Sequence, residues 1–304
     1  MNPALRPAPR SMLFVPGDSE KKLARCEAVA ADALILDLED SVEPQRKAQA
    51  RGLVAEFLRG RSRPRAVWVR INAPGTAECA QDMAAVLPAG SDGLIVPKAR
   101  AQDIVELGQW LDTHEQRFNV SPGTTRLLPI ATETPAAVLR LDEYQHRAGR
   151  LAALTWGAED LSVALGALDN VDEDGQWLPP YQLARSLCLI AAAAAGIAAI
   201  DTVFTDLHDH AGLARSAAAA RRDGFAGKLA IHPDQVEIIH RAFLPDPDEV
   251  AQATRIIAAF EAAGSGVVAF EGRMLDQPHL VRARRTVALQ EIARARDRSS
   301  IMDG

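Results

Sequence analysis

Five apolar, strand-like runs each close on a charged residue. ALILDLED reaches Glu39, VWVRIN carries Arg70, GLIVPK ends at Lys98, LLPIATE at Glu133 and LAALTWGAED at Asp160. Glu133 and Asp160, one repeat apart, have the chemistry of a small hard-metal site. Mg²⁺ prefers oxygen ligands and takes one or two carboxylates, leaving water and substrate oxygens to complete its octahedron. The alternative is structural, with each carboxylate capping a helix or pairing with a basic residue at the rim. Two such groups, each directly after an apolar strand, favour the metal. There is no HExxH, and none of the seven histidines lies at zinc-ligand spacing, which argues against zinc.

Arg70 interrupts an apolar strand, and a charge there must find a partner or face a pocket. Its guanidinium fork suits a carboxylate held bidentately or a developing oxyanion. A structural ion pair with Glu39, Asp37 or Asp40 is the other reading, and both roles can coexist. Strand alternation turns Asp37 and Glu39 to one face and Asp40 to the other, if the strand runs that far. Glu39 is a candidate to receive hydrogen bonds from metal-bound water, and Asp40 a candidate helix cap. Lys98 offers positive charge to an anionic substrate or a salt bridge to a neighbouring acid. In GFAGKLAIHP, Lys228 and His232 are candidates to meet phosphates or a pantetheine arm.

These groups need a scaffold that brings them to one place. Strands are predicted over 11–15, 33–38, 67–71, 93–97, 127–131, 152–155, 199–204 and 227–231. Helices fall between them: from Ser19 with Leu23 and Val29 on the apolar face, and over 44–59, 77–87, 101–114, 181–195 and 212–222. Another starts near Thr134-Pro135, and a short one follows Asp160. Strand and helix alternating with short connections argue for a parallel sheet. Eight repeats favour a (β/α)₈ TIM barrel, whose strand carboxyl ends share one mouth. No GxGxxG follows the first strand, so a dinucleotide-binding fold lacks its phosphate loop. Residues 1–10 read as a loose tail and 11–244 as the barrel. Residues 245–304 read as a C-terminal helical appendage that contacts a neighbouring subunit or covers the mouth.

The chain has 304 residues, 48% hydrophobic, enough for a large core. A net charge of −6 without a basic run argues against nucleic acid or an anionic membrane surface as partner. The cysteines, Cys26, Cys79 and Cys188, are widely spaced and read as reduced thiols buried in a cytoplasmic protein. The first ten residues have no apolar region of a secretory signal, and the longest apolar stretch, 187–200, is too short to span a bilayer.

Taken in order, the segments RSMLFVPG (10–17), LILDLEDSV (34–42), VRIN (69–72), VPK (96–98), ATET (131–134), GAEDL (157–161), GFAGKLAIHPDQ (224–235) and GRMLDQP (272–278) resemble the citrate lyase beta-subunit family, with malyl-CoA and citramalyl-CoA lyases among its relatives. The resemblance implies a Mg²⁺-dependent barrel enzyme, commonly a homotrimer, that cleaves or forms a carbon–carbon bond between an acyl-CoA thioester and a 2-oxo acid. It implies Glu133 and Asp160 as metal ligands and Arg70 at the oxo-acid end. Asp276 matches an acid/base that family members insert into a neighbour's active site. The CoA-contacting region maps to the Arg10 segment and the barrel mouth. Two other readings remain: a citryl-thioester lyase subunit working on an acyl-carrier protein, and a class II pyruvate aldolase on free oxo acids. The aldolase reading is weakened because no histidine precedes His114.

Overall fold

The computed structural model describes residues 8–61, 65–146 and 149–302. The predicted tail over residues 1–7 lies outside them. Eight parallel strands form the sheet: β1 (Ser11–Pro16), β2 (Ala33–Asp37), β3 (Ala66–Arg70), β4 (Gly93–Val96), β5 (Arg126–Pro129), β6 (Ala153–Thr155), β7 (Ala198–Asp201) and β8 (Gly227–Ala230). Their order is β5-β4-β3-β2-β1-β8-β7-β6. The outer two meet through parallel bridges, Leu127 with Leu151 and Ile130 with Thr155. The N–H of Ala131 donates to Thr155 O at 2.8 Å and that of Ala152 to Leu127 O at 2.9 Å. The sheet therefore closes into the predicted (β/α)₈ barrel.

Alternation decides what each strand offers inward. Met12, Ile35, Trp68, Ile95, Leu128, Ile200 and Leu229 form the interior cluster. Two residues beyond Ile35 and Trp68, the same face carries Asp37 and Arg70 at the carboxyl ends of β2 and β3, so the apolar fill gives way to charge at the mouth. Helix starts follow local chemistry: Ser19, Thr76, Thr134 and Asp209 each accept a backbone N–H from the first turn of the helix they cap.

Several boundaries differ from the prediction. The first helix is Glu20–Cys26 and stops before Val29. The helix after Thr134 is one turn, Pro135–Val138, followed by a 3₁₀ segment, Leu141–His146. A helix over Asp234–Ala242 was not predicted. It buries Gln235, Val236, Ile239 and His240, a helical spacing that starts directly after Pro233. Cys26, Cys79 and Cys188 are free and buried. Among the described residues, no helix is long and apolar enough to cross a membrane.

Contacts divide the chain into two compact units, with Ala8–His240 as the barrel and a second unit from Arg241 onward. In the second, Asp246 and Glu249 make a reciprocal capping box at the start of the helix Pro247–Ala263. A hairpin follows, β9 (Val267–Phe270) with β10 (Arg273–Asp276). Its turn holds Glu271 and Gly272 at φ 47° and 75°, the left-handed pair that a tight hairpin turn requires. Helix Gln277–Met302 comes next, and Phe260, Leu275 and Leu280 form this unit's small core.

Candidate active site

A cavity of about 550 Å³ opens at the carboxyl ends of the strands, with Asp37, Arg70, Glu133, Trp156 and Asp160 among its walls. The β2 strand ends at Asp37, so the alternation expected through Asp40 stops there. Asp37, Glu39 and Asp40 all turn toward Arg70, whose Nη atoms lie 2.6, 2.9 and 3.9 Å from their carboxylates. Asp40 does not cap the next helical segment, whose cap position is Glu43.

Arg70 and Asp37 are locked. Nε and Nη2 donate to the two Asp37 oxygens at 2.7 and 2.6 Å, and the guanidinium lies over the Phe14 ring at 4.9 Å. Asp37 also accepts the N–H groups of Glu39 and Ser41. Burial works against its charge, but the Arg70 bonds and charge outweigh it and hold the carboxyl below the usual carboxylate range. Nη1 is left to face the carboxylates of Glu39 and Asp40, at 2.9 and 3.9 Å. Replacing Arg70 with Met strands a buried carboxylate, and we expect a loss of about 3–5 kcal/mol in unfolding free energy by urea titration.

Glu39 Oε1 accepts from Lys98 Nζ at 2.5 Å. Its Oε2 is buried, 2.9 Å from Arg70 Nη1, yet has no partner in hydrogen-bonding geometry. Burial raises the Glu39 pKa, although Arg70 and Lys98 oppose the shift. Lys98 Nζ also lies 3.5 Å from both Asp40 and Asp160. Its backbone N–H donates to Glu133 Oε2.

Glu133 is buried, and its pKa is pushed up to about 8, first by burial and further by the facing Asp160 and Glu39 carboxylates. Gly157 makes room for it, because a Cβ there would stand 2.9 Å from Glu133 Cγ. Thr132 Oγ1 accepts the Gly157 N–H at 3.0 Å, tying the β5 and β6 loops together. Among the described residues, no group of three or more His, Cys, Asp or Glu side chains forms a complete metal cage. The donor set nevertheless fits a hard divalent ion. It is all oxygen, contains two carboxylates that disfavour each other's charge, and adjoins an unbonded Glu39 oxygen.

Glu39, Arg70, Lys98, Glu133 and Asp160 thus come together at the mouth. Arg10 and Lys228 do not join them. Arg10 precedes β1 at the opposite, amino end, where Nε and Nη2 donate to Asp32 at 3.0 and 2.9 Å. Lys228 sits beside inward-facing Leu229, so alternation turns it toward the helical layer. It is 0% exposed there and pairs with Asp201 at 2.7 Å, while Arg185 reaches Asp201 from the helix Pro179–Ala194. His232 lines the cavity. Asp276 ends β10 in the second unit, exposed, and its carboxylate meets His279 Nδ1 at 2.6 Å. The prediction missed Lys22 and Arg25, which reach the cavity from the helix Glu20–Cys26. Their i, i+3 spacing puts them on one side of that helix, but the sequence does not say which side faces inward.

Residues 10–233 match the family model for HpcH/HpaI aldolase/citrate lyase. The chain belongs to this family. It is 36% identical to citrate lyase subunit beta of Escherichia coli strain K12 over 293 residues, 95% of each chain. A (3S)-malyl-CoA thioesterase of Cereibacter sphaeroides is 34% identical over 289 residues, covering 93% of this chain and 94% of that one. The fold of this chain is similar to that of the protein CitE from Mycobacterium tuberculosis, in a crystal structure with magnesium, acetoacetate and coenzyme A. The TM-score is 0.80 at 32% identity, covering 95% of this chain and 99% of the other. The family relationship accounts for the barrel and for the order of its motifs.

Proposed function

We propose that the protein is a Mg²⁺-dependent carbon–carbon lyase. It cleaves or forms a β-hydroxyacyl-CoA, such as malyl-CoA or citramalyl-CoA, from an acyl-CoA and a 2-oxo acid. The observation that carries this reading is that two carboxylates, Glu133 and Asp160, share one cavity with the Arg70 guanidinium, while the Lys98 ammonium stands 3.5 Å from Asp160. The magnesium, acetoacetate and coenzyme A bound to CitE of M. tuberculosis support it.

Glu133 and Asp160 would hold the ion, which when bound supplies Lewis-acid polarisation of the substrate oxygens. Arg70, fixed by Asp37, directs Nη1 at the oxo-acid carboxylate, and Lys98 adds positive charge beside it. Glu39, whose Oε2 lies 2.9 Å from Arg70 Nη1 without a hydrogen bond, accepts the substrate's hydroxyl proton. As the bond between the second and third carbons breaks, its electron pair passes to the thioester side. The third carbon becomes the carbonyl of the oxo acid. Asp276, supplied by a neighbouring copy in a homotrimer or higher homo-oligomer, gives a proton to the second carbon. Solvent then restores both carboxyl groups. Lys22, Arg25 and His232 on the cavity wall are suited to the anionic CoA moiety. Leu139, Val163 and Leu168, which follow the candidate ligands in sequence, are exposed apolar residues that support burial by another subunit.

Metal binding should be linked to protons. Below about pH 8 the ion must displace the Glu133 proton, so affinity should rise with pH and level off above that value. Near pH 7, calorimetry in buffers of different ionisation enthalpy should show release of about one proton per ion bound. Binding without proton release would contradict the Glu133 assignment. The activity itself is tested by a mass-spectrometric screen of the purified protein with Mg²⁺ against acyl-CoA and oxo-acid pairs. The likeness to citrate lyase subunit beta favours one second reading, a citryl thioester carried on an acyl-carrier protein. Turnover only on carrier-bound substrate would select it.

A further inference from the structure

Lys98 is the residue whose geometry the proposed chemistry leaves least explained. Its backbone is left-handed, at φ 51°, although it is neither Gly nor Asn. Such a conformation persists only where the surrounding structure enforces it. Two contacts do so in opposite directions. The N–H donates to Glu133, and the extended side chain carries its ammonium to Glu39 Oε1 at 2.5 Å. The same ammonium stands 3.5 Å from Asp160 Oδ2 and 3.5 Å from Asp40 Oδ2. One residue thus orients one candidate metal ligand through its backbone and neutralises the other through its side chain.

We propose that Lys98 is the resident counter-ion of the metal site, holding the carboxylates in place when the divalent cation is absent and leaving Asp160 when the cation enters. This rests on the reading of Glu133 and Asp160 as metal ligands. Without any cation, the three carboxylates around the ammonium, Glu39, Asp40 and Asp160, would repel one another and the site would open. With the ammonium present the carboxylates stay gathered, but an entering ion meets a like charge and must compete for Asp160. The Glu39 contact is the shorter of the two and keeps Lys98 at the site after the exchange. Its ammonium then lies beside the bound ion, free to receive an anionic substrate oxygen. Metal arrival and substrate capture become successive uses of the same charge.

The experiment measures Mn²⁺ binding by electron paramagnetic resonance on wild type, Lys98→Met, Lys98→Arg and Glu133→Gln. Lys98→Met should bind Mn²⁺ at least about tenfold tighter than wild type, because the competing charge is gone. Its metal-free melting temperature should fall, and the rise on adding Mn²⁺ should exceed that of wild type. Lys98→Arg keeps the charge and should stay near wild-type affinity. If wild type binds Mn²⁺ and Glu133→Gln does not, but Lys98→Met binds no tighter than wild type, the counter-ion role is overturned and the metal site stands. If wild type and Lys98→Met both fail to bind, the metal-site reading falls and this inference falls with it. A second measurement needs no variant: acylation of Lys98 by an amine reagent, read by peptide mass spectrometry. Labelling should increase when Mn²⁺ is added, and labelling that is unchanged or reduced would overturn the exchange.

Discussion

Glu133→Gln is expected to lose turnover by at least about 10³-fold, on the scale of several kcal/mol of lost transition-state stabilisation. The substitution is close in shape and still accepts the Lys98 N–H, so the loop after β5 should keep its course. It also removes a charge that burial and Asp160 both disfavour. The variant should therefore be at least as stable as wild type without metal, and should gain nothing in melting temperature when Mg²⁺ is added. That combination separates a ligand from a structural carboxylate, whose loss would lower stability with or without the ion. Turnover within tenfold of wild type, still responsive to Mg²⁺, would remove Glu133 from the site.

Asp276→Asn should lower turnover by about 10²–10⁴-fold, the range of a lost general acid, with Mn²⁺ affinity unchanged. Asp276 lies in the unit from Arg241 onward, at the end of a hairpin and exposed. If a neighbouring copy supplies it, the two defects must complement. Mixed oligomers of Glu133→Gln and Asp276→Asn chains would contain some sites with wild-type groups from both subunits. Such mixtures should recover a sizeable fraction of activity, although each parent alone is nearly inactive. Near-normal turnover of Asp276→Asn would exclude it as the proton donor. A large loss without recovery on mixing would place donor and metal site on the same chain.

Much of the barrel was legible because a strand needs few residues to declare itself. VWVRI and GLIVP are apolar runs bounded by turn chemistry, and the charged residue closing each run marks the mouth. The residues that failed did so for positional reasons. Arg10 precedes its strand, and a residue before a barrel strand belongs to the end away from the chemistry. Lys228 was misplaced because one step of register separates an inward from an outward side chain. Inward-facing Leu229 and the pairing with Asp201, from another strand, show which way it faces. The helix Asp234–Ala242 starts directly after Pro233, and proline sits comfortably just ahead of a first turn, a signal that the sequence reading did not use. The contribution of Lys22 and Arg25 depends on how a helix is rotated against the barrel, which one short helix does not encode.

One feature of the barrel ties its mechanics to its chemistry. Seven neighbouring strand pairs are zipped by regular ladders, whereas β5 and β6 are joined by isolated bridges and the few hydrogen bonds beside them. Glu133 follows β5 and Asp160 follows β6, so the two carboxylates stand on either side of that join. A cation gripped by both becomes a clasp on the hoop, and the strength of the grip is felt as tightness of the ring. Amide exchange at Ala131 and Ala152, whose N–H groups cross the join, should slow on metal binding more than exchange within β1 or β2. Loading the ion would then do two things in one motion, arming the chemistry and fastening the scaffold that aims it.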